Sequence, residues 1–246
     1  MILNKSNISL YRKCPKAFYY AYIKKLPGRP PSKEMFVGEQ VHLFARDMWD
    51  KNFLKVVNDE VILDYTHPHD EVNRHIKNIV EIENKRWKLC KEKSNPEHYF
   101  FPVLVEKKIV LPELNIDGIV DRVSLELDDE YSLVEMKTGR AIMNGGLMFE
   151  LNFYKYLVDS SRILDKRIKR GIIYFTSTNE VICKKLKEPW QIKKMVKTIT
   201  EKIDSNIFPM NVTPLCSWCD YKEICLSKYY KLVGVKDVQP ISETSG

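Results

Sequence analysis

The sequence predicts an α/β protein with a mixed central sheet and helices on its flanks, and three observations carry that expectation. Residues 7–25 and 34–50 read as helices, and over 69–93 apolar residues recur near helical spacing on an otherwise charged segment. From Phe100 the texture changes to β-branched, apolar runs broken by Pro112 and by Asp128-Asp129. Helix then returns, two more strands follow, and a lysine-rich helix comes after them, an order that sets helices against a sheet.

In chain order, residues 7–25 read as a helix that Ser6, Asn7 or Ser9 can cap and that ends before Pro27-Gly28. A second helix covers 34–50. Over 69–93, Val72, Ile76, Ile79, Val80, Ile82 and Trp87 fall near helical spacing. Strands are expected at Val103–Leu111, Ile116–Leu127 and Tyr131–Lys137, then a helix at about 146–163. Two strands follow, near 170–177 and 180–186 with a turn at Thr178-Asn179, and a helix at about 189–205. Residues 1–231 are expected to form a single domain: helical over 1–99, a sheet core over 100–187, and a helix with a cysteine segment over 188–231. From Leu232 the chain is polar and glycine-ended, and 232–246 reads as a flexible tail. There is no internal repeat. No G-x-x-x-x-G-K-S/T loop occurs, so no nucleotide-driven motor is built in.

With 246 residues and 44% hydrophobic content, the chain can bury one large core or two small ones, and it is not disordered by composition. Forty Lys and Arg against 33 Asp and Glu leave a net charge of +7, a moderate excess that suits an anionic partner. Its distribution is uneven. Lys5, Arg12, Lys13, Lys16, Lys24, Lys25, Arg29 and Lys33 all precede the first acid, Glu34, and are interleaved with Tyr11, Phe18, Tyr19, Tyr20 and Tyr22. Cations neutralise phosphates and aromatic faces stack on bases, so this arm is a candidate single-strand contact surface, with Arg12, Lys13, Lys16 and Tyr20 as its contacts. The competing reading is a solvated helix whose aromatics pack inward. No run of about 18 apolar residues is present to span a membrane. The Met-Ile-Leu-Asn-Lys start lacks a signal-peptide core, so a cytoplasmic setting is expected, where cysteines serve more often as metal ligands or core residues than as disulfides.

The chemistry concentrates in Gly118-Ile119-Val120-Asp121-Arg122 and, fourteen residues after Asp121, Glu135-Met136-Lys137. Side chains alternate along a strand, so Glu135 and Lys137 share a face. If the connection around Asp128-Asp129 holds an odd number of residues, Asp121 faces 135 or 137 and the three groups converge; a two-residue loop would send the carboxylates to opposite faces. Hard divalent cations take oxygen ligands, and Mg²⁺ is typically held by one or two carboxylates plus water and phosphate. A lysine two residues beyond the second carboxylate can orient an attacking water and stabilise developing charge. An isolated E-x-K is weak in a charge-rich chain. Here Leu133, Val134 and Met136 surround Glu135, so a charge is carried into an apolar strand, which is costly unless it is paired or metal-bound.

Cys14, near the start, and Cys216, Cys219 and Cys225, in a C-x2-C-x5-C run, form a second constellation. Four thiolates complete a zinc site or an iron–sulfur cluster. The x5 gap is unlike the paired C-x2-C of a zinc ribbon, which favours iron–sulfur, with zinc and packed free thiols as the alternatives. Cys90 and Cys183 are read as ordinary residues, and His67, His69, His75 and His98 are assigned no role.

Asp121-Arg122 with Glu135-Met136-Lys137-Thr138-Gly139 resembles the core motif of the RecB-like branch of PD-(D/E)XK nucleases. Gly38-Glu39-Gln40-Val41-His42 resembles that family's G-x-x-x-H, and Glu150-Leu151-Asn152-Phe153-Tyr154 its Q-x-x-x-Y. Ser9-Leu10-Tyr11-Arg12-Lys13-Cys14-Pro15-Lys16-Ala17-Phe18 resembles the leading element of the cluster-bearing members, so the likeness runs over roughly residues 8 to 226. It implies a restriction-endonuclease-like fold and a 4Fe–4S cluster on Cys14, Cys216, Cys219 and Cys225 that joins the two chain ends. It implies Mn²⁺ or Mg²⁺ held by His42, Asp121, Glu135 and the Met136 carbonyl, with Lys137 positioning water and Tyr154 supporting the substrate or the lysine. Free-standing chains of this size most resemble the CRISPR-associated Cas-four nucleases, which implies a 5′ to 3′ exonuclease on single-stranded DNA or overhang ends. It also implies work with CRISPR adaptation integrase proteins in prespacer processing. A repair or mobile-element nuclease of the same chemistry, and a non-catalytic DNA-binding subunit, are the alternatives. Two departures stand out: Glu150 replaces the usual glutamine, where an acid would repel phosphate unless protonated or metal-bound, and the stretch from His42 to Asp121 is long. Asp117 shares the strand parity of Asp121 and is expected at the strand's open end, with a second acid in the site as the alternative.

Overall fold

The computed structural model describes residues 1–49, 54–57, 59–186 and 190–226. Its elements are α1 (Lys5–Lys13), α2 (Pro15–Phe18) running into a π-helical turn at Tyr19–Ile23, α3 (Lys33–Asp47), β1 (Leu54–Val57), β2 (Glu60–Leu63), α4 (Asp70–Cys90) and α5 (Pro96–Phe100). Then come β3 (Leu104–Leu111), β4 (Ile116–Leu125), β5 (Tyr131–Lys137), α6 (Gly145–Ser161), β6 (Ile168–Phe175), β7 (Glu180–Lys185), α7 (Trp190–Asp204) and a 3-10 turn at Pro214–Trp218. Contacts divide the chain into two units, Met1–Lys5 with Pro31–Lys197 and Ser6–Pro30 with Thr198–Gly246.

The first unit is built on a five-stranded sheet of order β3-β4-β5-β6-β7. Neighbours are antiparallel except β5 and β6, whose parallel pairing requires a crossover, supplied by α6. The mixed sheet with helical flanks is therefore the fold the sequence predicts. On one face Val134, Met136 and Tyr174 join Val37, Val41 and Phe44 of α3 and Val72, Ile76 and Ile79 of α4 in one core. The other face takes α6 at close range. A Cβ on Gly171 would lie 2.8 Å from Leu151, and one on Gly118 only 2.6 Å from Leu157, so both glycines are needed for the helix to approach.

Several expectations need correction. The helix expected over 7–25 is interrupted at Cys14, whose backbone is extended at φ −157° and ψ 105°. The cause is Pro15, whose ring crowds the helical conformation of the residue before it while suiting the first position of a new helix. The helical reading of 1–99 misses the β1–β2 hairpin, whose strands are too short for a period to show. Asp50, residues 187–189 and 227–246, including the expected tail, lie outside the described residues.

In the second unit three aromatics of the basic arm pack inward, while Tyr19 and Tyr22 are half-buried. Tyr11, Phe18 and Tyr20 are buried, and Tyr11 and Phe18 meet each other and Phe208 ring to ring. Tyr20 packs on Tyr221, so its face is closed to a base, while Arg12 and Lys13 remain exposed. The Lys16 ammonium lies 4.6 Å from the centre of the Tyr19 ring.

The α4 face of the sheet also buries a charge. Arg122, 2% exposed, donates to Glu83 Oε1 at 2.6 Å and to the Tyr174 hydroxyl at 2.8 Å, and its guanidinium lies over the Trp49 ring. Glu83 also accepts from Arg86 at 3.2 Å, and Arg86 in turn donates to the carbonyls of Tyr99 and Phe100 at the end of α5. A buried pair contributes little beyond an apolar substitute, but removing one partner strands the other charge. Glu83→Ala is therefore expected to cost about 3–5 kcal/mol and to lower Tm by roughly 10 °C. Glu81→Ala, which breaks an exposed pair with Lys85, should cost under about 1 kcal/mol. Urea denaturation compares the two, and equal losses would show that the buried pair does not hold α4 to the sheet.

Candidate active site

The β4–β5 connection decides whether the carboxylates meet. Leu125 pairs with Tyr131 and Arg122 with Val134, leaving the five residues 126–130 in the loop. That odd number sets Asp121 opposite Glu135 by extension of the register, as convergence requires. The ladder stops at Arg122, and beyond it Asp121 Oδ2 accepts the Met136 N–H at 3.4 Å. Met136 turns its side chain into the α3–α4 core, so only its backbone faces this region. The Lys137 ammonium contacts Glu135 Oε1 directly.

Two further elements supply donors. α3 brings His42 Nδ1 to 3.4 Å from Asp121 Oδ2. One turn earlier Gly38 lies against the residue after Lys137, where a Cβ would reach within 3.4 Å of Thr138 Oγ1. β3 brings Glu106, which the sequence reading missed. Ligand atoms of His42, Glu106 and Asp121 all lie within 4.8 Å of one another. Glu106 sits at φ 44° inside a strand, a left-handed conformation costing of order 1–3 kcal/mol in a non-glycine residue. Nothing in Val105-Glu106-Lys107-Lys108 separates this acid from a solvent-facing one. Only the β3–β4 register, which aligns Val105 with Arg122 and Lys107 with Val120, brackets Glu106 opposite Asp121.

Glu135 is 2% exposed, and its Oε2 is buried without a hydrogen-bond partner. An ionised oxygen left bare in such a place is costly, and an oxygen-seeking cation would satisfy it. The imidazole of His42 and the carboxylates of Glu106 and Asp121 lie close enough together to hold a divalent ion, and Glu135 stands opposite Asp121 by the strand register.

Electrostatics follow from burial. Desolvation, with the charge of Glu106, pushes the Asp121 carboxyl well above the usual range, and desolvation with Asp121 does the same to Glu135. Burial holds His42 below its ordinary value, so its ring is neutral and free to bind metal. Burial acts to lower Lys137, but Glu135 and Glu150 outweigh it and keep the ammonium charged. Burial likewise acts to raise Glu150, and Lys137 and Lys5 outweigh it, so this acid stays ionised by ion pairing rather than being protonated. Its Oε2 is 3.2 Å from Lys137 Nζ. Tyr154, four residues further along α6 and 7% exposed, is kept protonated by burial and the surrounding carboxylates. Asp117 pairs with Lys108 at 3.2 Å.

The far end of the site is held from α4. The Lys137 carbonyl accepts the Thr176 N–H at 2.9 Å. Thr176 in turn shares a hydrogen bond with His75 Nδ1 at 2.8 Å and accepts from Asn78 at 2.7 Å. His75, assigned no role from sequence, thus braces the strand end that carries the lysine.

In the second unit Cys14, Cys216, Cys219 and Cys225 line one cavity of about 480 Å³, together with Tyr20 and Met210. The Thr213 N–H points at Cys216 Sγ at 3.4 Å.

Acids raised in the fold bind more protons there than when unfolded, so stability falls as pH rises between the two values. For the metal-free protein that window runs from about pH 4, where free carboxylates ionise, to about 8, where Glu135 does in the fold. Tm is expected to fall across it, less steeply in Glu135→Gln, and Mn²⁺ should raise Tm more at pH 8 than at pH 5.5. Scanning fluorimetry measures all three; a slope unchanged by Glu135→Gln would refute the assignment. Glu106→Gln should weaken Mn²⁺ binding by about 10–100-fold in calorimetry, and unaltered affinity would remove Glu106 from the ligand set.

A family model described as the PD-(D/E)XK nuclease superfamily matches residues 3–226. No curated protein matches the chain by sequence. Among solved structures, one named "Putative exonuclease", from Eubacterium rectale, is 11% identical with a TM-score of 0.53, covering 97% of this chain and 90% of that one. Another, SSO0001, is 12% identical with a TM-score of 0.45, covering 91% of this chain and 85% of that one. At 11% identity the first speaks to fold alone. The family match spans nearly all the described residues, and the donor set suits metal-dependent phosphodiester chemistry: the chain belongs to the PD-(D/E)XK nuclease superfamily.

Proposed function

We propose that this chain is a metal-dependent deoxyribonuclease that trims single-stranded DNA or overhang ends as a 5′ to 3′ exonuclease, in the cytoplasm. The observation that carries the nuclease reading is the meeting of Asp121, Glu135 and Lys137 with His42 and Glu106 beside a buried, unpartnered carboxylate oxygen. The name of the Eubacterium rectale structure agrees with an exonuclease. Polarity, strand preference and a part in CRISPR prespacer processing beside integrase proteins rest on the sequence resemblance. The family match crosses both units, which supports reading residues 1–231 as one nuclease domain.

His42, Glu106, Asp121 and Glu135, with the Met136 carbonyl, would hold Mn²⁺ or Mg²⁺. Such an ion supplies Lewis-acid polarisation of the scissile phosphate and a more acidic water. Lys137 keeps its proton, so it serves as a hydrogen-bond donor that orients the water and counters charge on the phosphate, not as the general base. Neutral His42 offers a lone pair. Tyr154 stays a neutral phenol, able to donate toward the substrate or the lysine.

Cys14, Cys216, Cys219 and Cys225 would hold a 4Fe–4S cluster. One shared cavity lined by all four cysteines supports this, and the choice of a cluster over zinc rests on the sequence resemblance.

Anaerobically purified protein is expected to cut end-labelled single-stranded DNA with Mn²⁺, and Lys137→Ala to lose about 10²–10³-fold in rate. Equal activity in both would remove Lys137 from the mechanism, and equal inertness would favour a binding subunit. The protein should also be brown, with about four irons per chain that Cys216→Ser loses; one zinc and no colour would replace the cluster assignment.

A further inference from the structure

The start of the chain is fastened beside the active site. The Leu3 N–H donates to the Asn115 carbonyl at 2.7 Å and the Leu3 carbonyl accepts the Asp117 N–H at 2.9 Å, a parallel bridge at Ile116. Leu3 is buried at this point. Two residues on, the Lys5 ammonium meets Glu150 Oε1. The other oxygen of Glu150 is 3.2 Å from Lys137 Nζ, and that ammonium also contacts Glu135. Lys5, Glu150, Lys137 and Glu135 therefore alternate in sign along one continuous line.

The Glu150 side chain is only 8% exposed, so its charge needs a partner inside the protein. Lys137 alone would have to serve both Glu150 and Glu135. Charges balance only with Lys5 included: Glu106, Asp121, Glu135 and Glu150 stand against Lys5, Lys137 and a divalent cation. Without Lys5 the site carries an excess negative charge where a phosphodiester must enter. The remaining ammonium is then drawn toward Glu150 and away from Glu135.

We infer that Lys5 is a positioning residue of the nuclease site: as the counter-cation of Glu150 it leaves Lys137 on Glu135 and removes excess negative charge from the path of the phosphate. The inference rests on the nuclease reading above. It assigns a role in the reaction to a residue 145 positions from its partner and outside the Asp121–Lys137 segment.

The test is a double-mutant cycle read by Mn²⁺-dependent cleavage of end-labelled single-stranded DNA. Lys5→Met, which keeps the aliphatic stem, is expected to lower kcat about tenfold at saturating DNA with little change in KM. Lys5→Arg should keep most of the rate. Adding Glu150→Gln to Lys5→Met removes the charge that Lys5 balances and should recover most of the lost kcat. A double variant as slow as Lys5→Met overturns the inference, as does a Lys5→Met loss expressed in KM, which would make Lys5 a direct phosphate contact. A fall in Tm without any rescue of rate would mark a purely structural pair and overturn it too. A wild type that cuts no DNA overturns the nuclease reading itself, a result separable from the others because it needs no variant.

Discussion

Two carboxylates buried side by side on one strand pair are the constraint around which the first unit is arranged. Asp121 and Glu135 are each desolvated and each repel the other, so neither ionises at its ordinary pH without help. Lys137, within the same strand, favours their ionisation, whereas Glu106 from β3 opposes it at Asp121 and, with His42 from α3, stands close enough to share a cation there; Lys5 pairs with Glu150. The adjacent residue faces the same problem on the other side of the sheet, where Arg122 is buried against Glu83. β4 thus carries opposite charges in consecutive residues, Asp121 and Arg122, each turned into low-dielectric surroundings with its own partners. Such an arrangement resists sliding of the register, because a shift by one residue would exchange the two.

That view gives the long stretch between His42 and Asp121 a purpose. α4 provides Glu83 and Arg86 under Arg122, and His75 and Asn78 against Thr176. Thr176 grips the Lys137 carbonyl, so the lysine is braced at its backbone while its ammonium is shared between two acids. A site that must hold donors to within about 0.5 Å benefits from support on rigid elements rather than loops. Here that support is a 21-residue helix packed on the reverse of the sheet.

What was legible in the sequence was what local geometry determines. Spacing and alternation made the meeting of Asp121, Glu135 and Lys137 depend on an odd β4–β5 connection, and the five residues 126–130 meet that condition. Glu106 could not, because its position depends on the register across the Pro112–Leu114 turn and on a left-handed backbone that no residue type announces. The Glu150–Lys5 pair was hidden for another reason: an acid in the wrong place reads as repulsive until the cation 145 residues away is seen. Pro15 did contain the signal for the break at Cys14, but the surrounding helical periodicity masked it. The aromatics between the cations of the first helices were ambiguous, since packing inward and stacking outward leave the same composition; burial decides for packing at Tyr11, Phe18 and Tyr20, while Tyr19 and Tyr22 are half-buried.

Both chemically distinctive regions share a thermodynamic design. At the carboxylates, the fold favours protonated acids until a cation arrives, so binding the ion and releasing protons are one event. At the cysteines, burial first and then the neighbouring thiols raise Cys219 and Cys225, so these sulfurs too are held neutral in the protein's own environment. A thiolate must form for any metal to be ligated, and the proton it sheds makes assembly dependent on pH. Each unit therefore keeps buried acidic groups that are costly when ionised and bare, and in the first unit His42, Glu106 and Asp121 stand close enough for a cation to join them. Stability and activity are coupled in such a design, since the same binding event that completes the chemistry also removes the largest electrostatic cost in the fold.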